Sequence, residues 1–285
     1  MTDSMTHSVT MAQQMIKKVL SHFSDSREAQ HYLKRYHADE QKFAVVKVGG
    51  GIIADELSEL TESLAMLSQM GLTPIIIHGG GIQIEQAMTE TGITSVKKDG
   101  LRVTSDCDMQ LIEQVMSEIN QSVVDSLAQW SVPAQGFNQG VFACQLIDRS
   151  KYGSVGEVNT LQLATVKDCL SKGVIPVLSC LGYIPESKQV VNINADTAAG
   201  AIASSLAARK LVMMTDAPGV LSKKGELLSA LSPSGAQKLI KDGTIKGGMI
   251  PKVETALDAL EKGVRAAVIL DGRLPNASLL ELFTE

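Results

Sequence analysis

Three residues that lie far apart in the chain carry side chains that phosphoryl transfer could use. Lys47 interrupts the apolar run formed by Phe43, Ala44, Val45, Val46 and Val48, and Gly49, Gly50 and Gly51 follow directly. A lysine in a buried strand is costly unless its ammonium reaches an anion or water. Glycines, lacking Cβ, let backbone N–H groups come close to a ligand. A strand that ends this way reads as an anion cradle, and the plainer reading is a snorkelling lysine beside a flexible turn. Lys252 follows Gly247, Gly248 and Met249 near a helix start, and Asp196 opens another helix in NINAD. Taken singly, these are a solvated lysine and an ordinary N-terminal carboxylate. Taken together with Lys47, they suit a reaction that needs in-line positioning and positive charge on the transferred group. Two lysines supply the charge, and an aspartate between them holds both.

The elements that must position these groups follow from periodicity. The run at 43–48 has no helical period, as expected of a buried strand in a parallel sheet. Leu57, Leu60, Leu64, Leu67 and Met70 recur at helical spacing up to Gly71, and a second apolar strand from Thr73 to Ile77 ends in His78, Gly79, Gly80 and Gly81. Strand, helix and strand make a βαβ unit, and ligands bind beyond the carboxyl ends of such strands. The turn at 97–104 presents Arg102. Residues 105–130 form a long amphipathic helix, and short strands and hairpins are expected over 131–165. Val174 to Leu178 reads as a strand whose Pro176 places it at an edge or a bulge. The α/β rhythm resumes with a helix from Ala195, a strand from Leu211 to Met214 ending in Thr215 and Asp216, a turn at Gly219, further helices, a strand from Ala266 to Leu270 and a last helix at 275–283.

Composition narrows the function classes. The 285 residues are 44% hydrophobic and 20% charged with a net charge of -5. This is ordinary globular composition and gives no global electrostatic support for a nucleic-acid partner. No apolar run reaches membrane-spanning length, so no membrane partner is expected. Cys107, Cys144, Cys169 and Cys180 show no CxxC spacing and read as reduced buried thiols of a cytoplasmic enzyme, with no metal site or disulfide frame. The pattern GxxxxGK[ST] is absent. Gly49, Gly51 and Ala54 nominally match a dinucleotide fingerprint, but the second strand ends in His78 where an acidic residue is needed for the ribose. A phosphotransferase therefore ranks above a dehydrogenase.

Six segments in order, VKVGGG at 46–51, IIIHGGG at 75–81, DGLRVT at 99–104, VNINAD at 191–196, MTDAPGV at 214–220 and GGMIPK at 247–252, resemble the amino-acid kinase family. HGGG with GLRVT and NxNAD points to its acetylglutamate branch. The resemblance implies an α/β three-layer sandwich with a mainly parallel central sheet. It also implies ATP-dependent phosphorylation of the γ-carboxylate of N-acetyl-L-glutamate, a step of arginine biosynthesis. By the same resemblance Lys47 and Lys252 stabilise the transferring phosphoryl group and Asp196 organises them. Gly79, Gly80, Arg102, Asn192 and Asn194 serve the substrate. Gly49, Gly50, Thr215, Asp216, Gly219 and Gly248 serve ATP, with Mg2+ held mainly by its phosphates.

The expected division is an N-terminal arm at 1–42, partly helical, and a kinase domain at 43–285 with a substrate-side lobe at 43–185 and a nucleotide-side lobe at 186–285. Segment 140–158 and the arm resemble the fungal and bifunctional synthase–kinase type, which suggests L-arginine as an effector and a homodimer, a dimer of dimers or a larger assembly. The chain stops after FTE, where relatives continue, so a last strand or an acetyltransferase domain is expected in a longer parent protein. The alternative is a kinase-fold domain kept for arginine regulation and assembly. Retention of both lysines and Asp196 argues for catalysis.

Overall fold

The structure, a computed structural model, describes residues 43–69, 71–277 and 281. The expected arm at 1–42 lies outside the described residues, as does much of the expected last helix. A six-stranded sheet organises the rest. Its strands are β1 (Ala44–Val48), β2 (Ile75–His78), β5 (Ala134–Phe137), β8 (Ile175–Ser179), β11 (Lys210–Thr215) and β12 (Ala266–Asp271). They run in the order β12-β11-β1-β2-β8-β5, and every pairing is parallel. Each residue of β1, β2, β8 and β11 is buried. Such strands must be covered on both faces, which is why they are mostly apolar and do not alternate.

The crossover helices supply the cover. α1 (Gly50–Gln69) and α2 (Gly81–Glu90) pack against α3 (Asp106–Gln129), and α6 (Ala195–Ser205) packs against α8 (Met249–Glu261). α3 begins at a capping box in which Ser105 and Asp108 satisfy each other's backbone N–H groups. It buries Ile112, Met116, Ile119, Val123 and Leu127, the apolar stripe read in the sequence. Asn120 is buried on the same face, whereas Cys107, expected to be buried with the other three cysteines, is exposed in the first turn.

Pro176 is a correction. β8 is an inner strand, flanked by β2 and β5. Pro176 pairs with Gln135 of β5, and the ladder to β2 starts one residue later, at Val177. The proline sits before the inner ladder begins, so no inner-strand donor is lost there.

The segment expected to form short strands, 131–165, supplies β5 of the large sheet and two of the four strands of a small barrel, the other two lying beyond it. β6 (Phe142–Leu146), β7 (Val155–Leu161), β9 (Leu181–Tyr183) and β10 (Val190–Ile193) are ordered β10-β7-β6-β9. A hairpin of β3 (Val96–Lys98) and β4 (Leu101–Val103) carries Arg102. Its turn residues Asp99 and Gly100 both have positive φ, 51° and 80°, as the tightest hairpin turns require. Tyr152 Oη donates to Asp99 Oδ2 at 2.7 Å, and Lys151 Nζ lies 2.7 Å from the same oxygen. The turn is thereby tied to α4 (Arg149–Tyr152).

Candidate active site

The site lies at the carboxyl edge of β1, β2 and β11. Lys47 is the fourth residue of β1, between Met213 of β11 and Ile77 of β2 in register. Its side chain is 8% exposed. The strand buries it because both neighbouring strands and both faces are apolar, and the cost is offset by Asp196. Lys47 Nζ lies 3.0 Å from Asp196 Oδ1, and Lys252 Nζ lies 2.9 Å from Asp196 Oδ2. One buried carboxylate therefore carries two ammonium groups, brought from the sheet and from the first turn of α8.

Asp196 is fixed in turn by Asn194, the N-cap of α6. Its Oδ1 accepts from the backbone N–H groups of Asp196 and Thr197 at 2.8 and 3.1 Å. The cap sets the first turn and thus the direction of the aspartate. Burial raises the cost of charging Asp196, but Lys47 and Lys252 outweigh it and hold its pKa below the ordinary value. Burial, reinforced by the like charge of Lys47, lowers the pKa of Lys252.

Both lysines open on a cavity of about 880 Å³. Its wall includes Gly49, Gly50 and Gly51 at the start of α1, Gly81 and Glu85 of α2, Lys97 of the hairpin, Thr215 at the end of β11 and Asp216 just after it. The N-terminal ends of α1 and α2, whose backbone N–H groups lack helical partners, meet there. The close approach leaves no room for a side chain: a Cβ on Gly50 would lie 2.6 Å from Gln83 Oε1 and 3.1 Å from Gly81 N. Gln83 Nε2 donates to Gly50 O at 2.8 Å and holds that peptide. Positive charge, helix N-termini and bare backbone fit a polyphosphate. Gly50→Ala is therefore expected to raise KM for the nucleotide about tenfold or more by pushing the two helix starts apart, measured in steady-state assays with the phosphate donor varied.

The remaining predicted residues divide. Gly79 donates its N–H to Val48 O at 2.9 Å, and a Cβ on Gly80 would lie 2.7 Å from Met116 Sδ. These two glycines join β2 to its neighbours, and it is Gly81 that faces the cavity. Gly219, at a φ of 130°, lines an adjoining cavity of about 460 Å³ with Lys223, Lys246 and Met249, and Gly248 caps α8. Asn194 borders a third cavity of about 580 Å³. Asn192 Nδ2 donates to Thr104 Oγ1 at 3.4 Å. Arg102 is buried, with Nη2 donating to Glu85 Oε2 at 2.9 Å and to Gly81 O at 3.0 Å.

Three participants were not singled out from sequence. Glu85 lies on the cavity side of α2, and the spacing from Gly81 to Glu85, one helical turn, was the available signal; Gln83 points off that face and acts through its bond to Gly50 O. His78 ends β2 fully buried, with its pKa pushed down to about 4 by burial. Neutral, it donates from Nδ1 to Gly79 O at 3.3 Å and accepts from Asn120 Nδ2 at 3.1 Å. Its ring fixes the strand end that leads into the glycines.

The model of the amino acid kinase family matches residues 42–271. The chain belongs to the amino acid kinase family. A protein named acetylglutamate kinase from Cereibacter sphaeroides is 39% identical over 264 residues, covering 90% of this chain and 89% of the relative. One of the same name from Gluconacetobacter diazotrophicus is 42% identical over 275 residues, with 90% and 87% covered. Among solved structures, an N-acetylglutamate synthase from Neisseria gonorrhoeae, complexed with coenzyme A and L-arginine, superposes with a TM-score of 0.81 at 26% identity, covering 90% of this chain and 62% of that one. The two lysines, Asp196 and the glycine exits all fall inside the stretch that matches the amino acid kinase family.

Proposed function

We propose that the chain is an acetylglutamate kinase, which moves the γ-phosphoryl group of ATP onto the γ-carboxylate of N-acetyl-L-glutamate. The observation that carries this reading is the pair of ammonium groups on one buried carboxylate, facing a cavity walled by glycines at two helix starts. The curated relatives' name supplies the acceptor. A carboxylate is ionised at neutral pH, so the acceptor needs no general base, and the machinery reduces to placement and charge. The N–H groups at the starts of α1 and α2 take phosphate oxygens. Lys47 and Lys252 lie on the path of the group in transfer, held apart from each other by Asp196. Mg2+ belongs on the phosphates of ATP. Among the described residues no group of three or more His, Cys, Asp or Glu side chains is placed to hold a metal, and no helix is long and apolar enough to cross a membrane.

In this reading Thr215 and Asp216 adjoin the nucleotide, and Gly219 and Gly248 belong to its farther end. Arg102 and Asn192 receive the acceptor's carboxylate and amide. The lobes at 43–185 and 186–285 serve acceptor and nucleotide respectively and meet at Asp196. L-Arginine as an effector and assembly beyond a dimer belong to the same proposal. The deciding experiment is ATP-dependent acyl phosphate formation, trapped with hydroxylamine, with N-acetylglutamate, glutamate and aspartate as acceptors. Product with N-acetylglutamate alone supports the reading, and product with aspartate or with none of the three overturns it.

Arg102→Lys tests the acceptor side. The variant keeps the charge and loses the planar fork. KM for N-acetylglutamate is expected to rise about tenfold or more while KM for ATP stays within about twofold. The opposite split would place Arg102 on the nucleotide.

A further inference from the structure

The guanidinium of Arg102 is already engaged. The side chain is 6% exposed. Nη2 donates to Glu85 Oε2 at 2.9 Å and to Gly81 O at 3.0 Å, while Nη1 donates to Ser95 Oγ. At this point the cavity wall is Glu85 and Lys97, and Arg102 lies behind them. A ligand carboxylate in the cavity therefore cannot form a two-pronged contact with the Nη pair while these bonds stand. Glu85 is free to yield. Its side chain is 45% exposed, and Lys97 Nζ lies 3.6 Å from the oxygen that Arg102 holds. A second cation is thus at hand for the carboxylate once it leaves the first.

We propose that Glu85 occupies the anion position on Arg102, and that the acceptor's carboxylate binds by exchange with it, Glu85 passing to Lys97 and water. This rests on the reading of the acceptor as N-acetylglutamate and adds a selectivity device to it. Buried Arg102 keeps a counter-charge throughout, which a cation in that position requires. A ligand must outcompete an internal carboxylate, so a weakly placed anion does not take the site.

The test uses the full chain with Glu85→Gln and Glu85→Asp. The amide keeps an acceptor oxygen for Arg102 and removes the competing charge. Glu85→Gln is expected to lower KM for N-acetylglutamate by roughly three- to tenfold and to enlarge the rise in Tm that N-acetylglutamate alone produces. Glu85→Asp, whose shorter carboxylate reaches Arg102 less well, falls between wild type and Glu85→Gln, and it decides the matter if the amide variant does not fold. A raised or unchanged KM, with an equal or smaller thermal response, overturns the exchange and makes Glu85 a residue that positions Arg102. If wild type is neither stabilised by N-acetylglutamate nor phosphorylates it, the acceptor reading fails and this proposal with it. If wild type does both and the variants show no gain, only the exchange fails.

Discussion

Lys252→Ala is expected to lower kcat by about 10²–10³ with a much smaller change in KM for N-acetylglutamate. The reason lies in where the ammonium sits. It lies 2.9 Å from Asp196, its side chain is 16% exposed, and it faces the cavity across from Lys47. In the proposed transfer its charge, in low-dielectric surroundings, is used most when phosphoryl charge is redistributing and less in binding either substrate. Steady-state kinetics with both substrates varied decide it: an unchanged kcat removes Lys252 from the chemistry, and a rise in KM alone makes it a binding residue.

Asp196→Asn is expected to be the most damaging single change to the fold at this site. It leaves Lys47, 8% exposed, facing another ammonium without a counter-charge. Breaking a buried ion pair from one side typically costs roughly 3–5 kcal/mol, readable as a shift in the urea midpoint at neutral pH. The pH dependence gives a second readout. The folded-state pKa of Asp196 is depressed by the two lysines against the opposing effect of burial. Its contribution is therefore complete above the unfolded value of about 3.9 and is lost as pH falls through the folded value. The stability gap between wild type and variant should narrow below about pH 4 and be flat from there to neutrality. A gap that widened with acid would mean that the aspartate is held protonated.

The legible parts of the site were those set by local sequence. Lys47 could be read because a charged residue inside a run of Val and Ala has few explanations, and the glycines directly after it narrowed them further. Asp196 could be placed because Asn194 and the small-residue helix behind it mark a helix start. What could not be read depends on which face of one element meets another. Gly79, Gly80 and Gly81 are equivalent in a string of letters, yet the β2–α2 turn leaves only Gly81 toward the cavity while Gly80 packs on Met116 of α3. Glu85 acquires its meaning from the hairpin that brings Arg102 beneath α2, a contact across seventeen positions that no period announces. The barrel is not legible as a unit, because only β6 and β7 fall where short strands are expected and closure depends on pairings with β9 and β10 that include both parallel and antiparallel ladders. Pro176 misled because proline reports on a missing donor, and whether that donor is needed depends on where the neighbouring ladder begins.

The central place of β1 has a consequence for how the molecule comes into being. One neighbour, β2, is joined to it by a single helix, but the other pairs Ala44 with Lys210, more than half the chain away. Closing so long a segment costs entropy that local contacts do not return, and pairings of this separation slow folding. Lys47 and Asp196 meet only once that closure is made. A nascent chain emerging from the ribosome can complete the first βαβ unit early, but it must retain an uncovered apolar strand edge beside Lys47 until β11 arrives. That waiting edge, more than the chemistry, is where this chain is open to aggregation and to help from chaperones.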